Sequence, residues 1–298
     1  MTVLFIGLAS PLYAEQSKYV IGFAQDTMNN DWRIAQVREV EQALSEYENV
    51  EFVFTDAKAQ TSLQAKHILD LADIPVDVLL VSPMDKVALA PVISEVYQRG
   101  IPIILLSRGI DSEDYTSFIR PDNYLIGQAA GDFLVEKLQE GGQVLMLQGI
   151  PETTTAIQRT AGFLDVMNDN GTFNIITRVG NFLRADTLRE MQELLNENVA
   201  FDAVYAQSDS MATAVRLAMQ AAGKDPAEII IIGIDYITEA QEAIREAKQT
   251  LSFTYPTAGK EGAEVAIKII QGESVEKDII LPSIPVTIEN VDSVEPIF

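Results

Sequence analysis

Five short polar stretches hold the side chains best suited to chemistry: Asp26 to Arg33, Ser107-Arg108, Gln148 to Arg159, Gln207-Ser208-Asp209 and Asp235-Tyr236. Arg33, Arg108 and Arg159 each offer a rigid fork of donors that reaches paired or ring oxygens. Asp26 and Asp235 accept from hydroxyls, and Trp32, the single tryptophan, offers an aromatic plate. Such a set suits a small polar ligand that offers oxygens to donors and acceptors and a flat or apolar face to an aromatic ring. Covalent catalysis fits these residues poorly. The chain has no cysteine and one histidine, which excludes disulfides, thiolate chemistry and Cys-based metal sites. His67 lies in QTSLQAKHILDLA, in helical register with Leu63 and Leu71 and without a partner motif, so it reads as a helix-surface or boundary residue. We assign no catalytic residue, no metal ligand and no cofactor.

Each polar stretch follows a short β-rich run. The expected strands are 19–25, 50–55, 76–82, 101–107 and 116–120, then 143–149, 173–179, 201–207, 228–234 and 250–255. Several are nearly continuous Val, Ile and Leu, as in strands of a parallel sheet covered on both faces. Between them, 31–47, 87–100 and 210–223 carry apolar residues at helical spacing, with Gly100 and Gly223 where helix C-caps belong. A βαβα rhythm repeated in two sets predicts an α/β protein of two doubly wound, parallel-sheet lobes. In such sheets a ligand sits beyond the carboxyl ends of the strands, where the five stretches fall. No GxGxxG or Walker-type loop occurs there; GIPETTTAIQR lacks the glycines that let a backbone approach phosphate.

The chain has 298 residues, ample for two domains. Its formal net charge of -23 repels phosphate backbones and anionic membrane surfaces, which argues against nucleic-acid binding. MTVLFIGLASPLYA is a short apolar run ending in small residues, and residues 1–14 are expected to be a signal peptide cut after Ala14. It lacks a basic n-region, and a buried strand is the competing reading. A periplasmic or extracellular location follows from the signal reading.

Taken in order, the post-strand segments resemble the type I periplasmic sugar-binding proteins, the family of ribose- and galactofuranose-binding components of import systems. GFAQDTMNNDWR resembles the family's first strand-to-helix turn, where an aromatic residue and an Asn or Arg face the sugar. GIPIILLSRGID resembles the segment that normally ends in Asp-Arg, and RPDNYLIGQAAGDFL the first crossover between lobes. LQGIPETTTAIQRTAGF is similar to the loop whose arginine clamps ligand oxygens. VYAQSDSMATA and IIIIGIDYITEAQEAI match the next two segments, and TLSFTYP the returning hinge. The resemblance implies a three-segment hinge near Asp122, Thr254 and Leu281. Lobe one would comprise 18–121 with 255–282, and lobe two 122–254 with 283–298, each built on a parallel six-strand sheet. It implies a ligand site of Asp26, Asn30, Trp32, Arg33, Ser107, Arg108, Arg159, Phe182, Ser208, Asp235 and Thr254.

Three departures bear on the ligand. Ser107 stands where the family usually has Asp, Ser208 where it commonly has Asn, and Thr254 where Gln is frequent. Side chains are shortened, and a charged acceptor is expected to be lost near Arg108. A ligand with its own negative charge or a bulkier outline would suit that balance. Each site residue also has a structural alternative: core packing for Trp32 and Phe182, surface salt bridges for the arginines, a helix N-cap for Asp235. The expected activity is capture of a monosaccharide or similar polar ligand by a monomer, without chemistry, for a membrane permease of an ABC importer. A membrane sensor kinase or chemoreceptor is the alternative partner, and a sugar-modifying enzyme the remoter reading.

Overall fold

A computed structural model describes residues 18–298, so the expected signal segment lies outside the described residues. Two six-stranded sheets form, each sandwiched between helices. The first has strand order β11-β5-β4-β3-β1-β2. Its strands are β1 (Tyr19–Gln25), β2 (Val50–Asp56), β3 (Val78–Val81), β4 (Ile103–Leu106), β5 (Ser117–Pro121) and β11 (Asp278–Leu281). All its pairings are parallel. The second has order β12-β10-β9-β8-β6-β7. It uses β6 (Gly142–Gln148), β7 (Phe173–Val179), β8 (Ala203–Ala206), β9 (Ile230–Asp235), β10 (Leu251–Thr254) and β12 (Pro285–Val286). Here the expectation of a wholly parallel sheet fails at the edge. The chain re-enters from the other lobe through a short turn, and β12 lies antiparallel to β10.

The apolar runs behave as their composition dictates. VLLV of β3, IILL of β4 and AVYA of β8 are buried throughout, because helices cover both faces of the inner strands. In the first lobe α1 (Asp31–Leu44) and α9 (Gly259–Ile270) cover one face, packing Val37, Val40 and Ala266 onto Phe23, Leu80 and Ile104. α2 (Thr61–Ala72) and α3 (Ala90–Gln98) cover the other with Ile68 and Ile93. In the second lobe the corresponding pairs are α4 (Asn123–Lys137) with α5 (Thr154–Asn170), and α6 (Arg184–Asn196) with α7 (Asp209–Ala221). α8 (Thr238–Arg245) follows β9.

Local chemistry sets the helix ends. Asn30, Asp122, Thr153 and Ser208 each cap a helix by accepting from a backbone N–H of its first turn. Helix α3 starts later than the sequence suggested, because the Asp85 carboxylate accepts from the amides of Val87 and Ala88 and holds a turn there. Gly100 and Gly223 do follow helix ends, at φ 88° and 71°.

Helices α4 and α5 touch through glycine. A Cβ on Gly127 would lie 2.4 Å from the Arg159 carbonyl oxygen, and one on Gly162 2.1 Å from that of Tyr124. The chain passes between sheets three times: from β5 to α4, from β10 to α9, and from β11 to β12.

Candidate ligand-binding cleft

In each sheet the first strand lies between the second and third, as β1 between β2 and β3, and β6 between β7 and β8. Loops leaving the carboxyl ends at such a switch point diverge and open a crevice. The two crevices face one another. Between them lies a narrow cleft. Asn30, Trp32, Arg33, Ser107 and Arg108 line it from the first lobe, Arg159, Phe182, Ser208 and Asp235 from the second.

The first-lobe side is an arginine pair built around one acid. Asp26 directly follows β1, fully buried, and its carboxylate accepts from Arg108 Nη1 at 2.5 Å and pairs with Arg33 Nε at 3.3 Å. Arg33 Nη1 also donates to Gln36 Oε1, Ser82 Oγ and Ser107 Oγ at 3.0, 2.7 and 3.3 Å. Burial, with Arg108 beside it, lowers the Arg33 pKa to about 10 against the opposing pull of Asp26. The expected loss of a charged acceptor near Arg108 is therefore made good from another strand: Asp26 supplies the carboxylate that Ser107 does not. Asp26 itself lies behind the cleft wall.

Trp32 is 9% exposed. Its Nε1 donates to the Tyr255 carbonyl oxygen at 3.2 Å, and the two rings tilt at 46° with centroids 5.6 Å apart. Arg159 lies across the cleft, donating from Nε to Asn123 Oδ1 at 2.9 Å and from Nη1 to the Gln207 carbonyl oxygen. Its guanidinium carbon stands 4.3 Å from the Tyr255 ring centroid and 5.9 Å from that of Phe182. Phe182 reaches its place because residue 149 is glycine; a Cβ there would fall 1.9 Å from the ring.

Asp235 is 7% exposed and lines the cleft; its carboxylate has no ion pair among the described residues, and the backbone amide of Asp209 is the hydrogen-bond donor that favours its charge. Burial pushes its pKa well above the ordinary carboxylate range, Arg159 and Arg33 pulling it back and Asp209 adding to the rise. It caps no helix, since α8 begins three residues later behind Ile237. Two polar atoms of cleft residues, Arg108 Nε and Tyr255 Oη, are buried without a partner among the described residues. Unsatisfied donors and acceptors are rare in folded proteins, and two at one crevice suit a ligand that supplies hydroxyls.

Ser107, Phe182 and Asp235 share a backbone feature: φ of 60°, 61° and 114°. Left-handed conformations at non-glycine residues are strained and persist only where the surroundings impose them. Here they turn side chains into the cleft directly after β4, after β7 and at the end of β9.

Nine of the eleven sequence-derived residues line one cleft. Asp26 backs it, and Thr254 is not among the lining residues: its hydroxyl accepts from the Ile284 amide, and its carbonyl from Ser283 Oγ, where the chain crosses between lobes. Thr155, Ser210 and Tyr255 line the cleft without having been singled out. Ser210 and Tyr255 lie two residues and one residue beyond Ser208 and Thr254, and Thr155 lies within the Gln148 to Arg159 stretch, four residues before Arg159; that proximity was the available signal.

The family model described as the periplasmic binding protein domain matches residues 21–274. The chain belongs to this family. Among relatives of the periplasmic binding protein, the ribose import binding protein of Salmonella typhimurium is 30% identical over 263 residues, covering 87% of this chain and 88% of that one. A solute binding protein of an ABC transporter from Bacillus halodurans, solved with bound myo-inositol, superposes with a TM-score of 0.88 at 26% identity, over 94% of this chain and 98% of the other. A fructose binding periplasmic domain of a hybrid two component system gives 0.86 at 28% identity over 92% of each chain. The matching relatives are binding proteins rather than enzymes, and the two-lobed α/β fold is common to them. Among the described residues no helix is long and apolar enough to cross a membrane.

Proposed function

We propose that this periplasmic binding protein captures a monosaccharide or a similar polar ring between its lobes, outside the cytoplasm, and delivers it as a monomer to the permease of an ABC importer. The observation that carries the reading is the opposition of Arg159 and the buried Asp235 carboxylate, which has no ion pair among the described residues, to the Arg33–Asp26–Arg108 cluster, with Trp32 and Phe182 at the cleft wall. Arginine donors and a carboxylate acceptor suit ring hydroxyls, and the aromatic faces suit C–H surfaces. In this reading Asn30, Ser107, Ser208, Thr155, Ser210 and Tyr255 complete the contacts. The lobes are 18–121 with 255–282, and 122–254 with 283–298.

Delivery to a membrane sensor is the second reading, favoured by the likeness to the periplasmic domain of a hybrid two component system. A ligand that binds only the folded protein raises its melting temperature by mass action. D-ribose, D-galactose, D-fructose, L-arabinose and myo-inositol, each at millimolar excess, form the first panel. A saturable upward shift with one or two of them supports the proposal. No shift with any neutral ring, together with one for an amino acid or nucleotide, would sink it.

A further inference from the structure

Asp209 is wholly buried at the start of α7, behind the cleft, and does not line it. Its carboxylate is nonetheless the most heavily bonded acid near the site. Oδ2 accepts from the Tyr236 backbone amide at 2.7 Å and from Ser252 Oγ at 2.6 Å. Oδ1 accepts from Gln249 Nε2 at 2.7 Å, and the Gln249 carbonyl in turn accepts from Arg216. Glycine at 233 admits this cluster, since a Cβ there would lie 1.8 Å from Asp209 Oδ1. The amide that Asp209 holds belongs to a strained peptide: Asp235 has φ 114° and Tyr236 φ 57°, consecutive left-handed residues without a glycine. Such a pair relaxes unless something fixes it.

We propose that Asp209 is a positioning residue for the ligand site: by gripping the Tyr236 amide it fixes the strained Asp235–Tyr236 peptide and with it the direction in which the Asp235 carboxylate faces the cleft. The inference rests on the reading of Asp235 as a ligand-binding group. Adjacent residues thus divide the labour at the start of α7, Ser208 lining the cleft and Asp209 holding the opposite strand's end. Ser252 supports the same grip, because its hydroxyl accepts from the Tyr236 amide at 3.2 Å while donating to Asp209. Burial raises the Asp209 pKa to about 6 even though three donors converge on it, so the group is held there against its own desolvation.

The test uses the full chain without ligand, followed by amide hydrogen exchange and backbone chemical shifts. Asp209→Ala should speed exchange of the Tyr236 amide by at least about tenfold, the lower end of what a hydrogen bond to a carboxylate contributes. The shifts of Asp235 and Tyr236 should move away from left-handed values, while the core amide of Leu145 in β6 stays protected. Asp209→Asn, which keeps one acceptor oxygen, should restore part of the protection. If Asp209→Ala does not fold, Ser252→Ala removes one leg of the grip and should give a smaller acceleration at the same amide. Unchanged Tyr236 exchange, or equal acceleration at Leu145, overturns the proposal. Failure of every sugar to bind the wild-type chain would count against the receptor reading and would leave the exchange result standing.

Discussion

Asp26 and Asp235 both stand at the carboxyl ends of strands, one just past β1 and one closing β9, and are both buried, yet they are placed to do different things. Asp26 is ringed by two guanidiniums and holds them; Asp235 lines the cleft with no ion pair of its own among the described residues. A sugar hydroxyl donating to Asp235 favours its ionised form, so binding should release a proton, and affinity should rise as the pH climbs through the raised pKa. Calorimetry in buffers of different ionisation heat would detect that release, and Asp235→Asn should abolish it. Asp209 gives a stability counterpart. Its folded pKa of about 6 lies above the unfolded value, so its contribution is fully present below about pH 4 and lost as the pH rises through 6. Asp209→Asn should therefore flatten the fall in Tm between about pH 4 and pH 6; an equal fall in wild type and variant would contradict the assignment. Trp32→Ala should weaken sugar binding by about 100-fold and also lower Tm, because the ring packs in a core cluster as well as lining the cleft, and bound sugar should change the emission of the single indole. Gly149→Ala separates the two effects differently: the new methyl displaces the end of the Phe182 ring, so affinity should drop with little change in stability. At this scale the sequence named most of the cleft because arginines and aromatics directly after strands have few other reasons to be there. Whether Asp26 faced the ligand or its neighbours, and that Thr254 served the crossing, depended on distances between strands that residue types do not encode.

At the scale of elements, the β-rich runs were legible because VLLV or IILL cannot be solvated, and ten strands emerged within a few residues of their expected places. β11 and β12 were harder, being short edge strands only partly buried. Helices α4 and α5 carry a different message. Arg159 belongs to α5, and its height in the cleft is set by how closely α5 approaches α4 through Gly127 and Gly162. Added methyls there meet backbone carbonyls, which cannot rotate aside. Gly162→Ala should therefore cost about 2–3 kcal/mol of stability and shift Arg159, weakening binding as well. Chemical denaturation and titration with the sugar that shifts Tm would show both losses; a fully stable variant would mean that the helix pair has slack the geometry denies.

For the whole molecule, contacts across the mouth are modest: Thr155 Oγ1 donates to the Ser107 carbonyl oxygen at 3.4 Å, and the Arg108 guanidinium carbon stands 5.8 Å from the Phe182 ring centroid. Thr154 Oγ1 accepts from the Gly109 amide at 3.0 Å, and Arg184 bridges Asp31 and Glu239 at 3.1 and 2.8 Å. Exposed ion pairs of this kind contribute at most about 1 kcal/mol each, too little to hold two lobes together alone. Ligand contacts made from both sides would then decide the closed state. Small-angle scattering should record a smaller radius of gyration on saturation with sugar, and Arg159→Ala should remove most of the change. An unchanged radius in wild type at saturation would argue against closure as the signal passed on.

The triple passage of the chain between the sheets also governs when each half can come into being. A ribosome that has released residue 270 has made nine helices' worth of sequence, yet neither sheet is complete: the first lacks β11, the second β12. Until residue 278 emerges, β5 is left as an uncovered edge, the kind of template on which chains pair wrongly. Contacts closing such long loops also make folding slow. Neither half can lock until the segment from residue 278 emerges, β11 completing the first sheet and β12 the second, and a chain stopped at residue 277 should leave two incomplete sheets rather than one intact lobe.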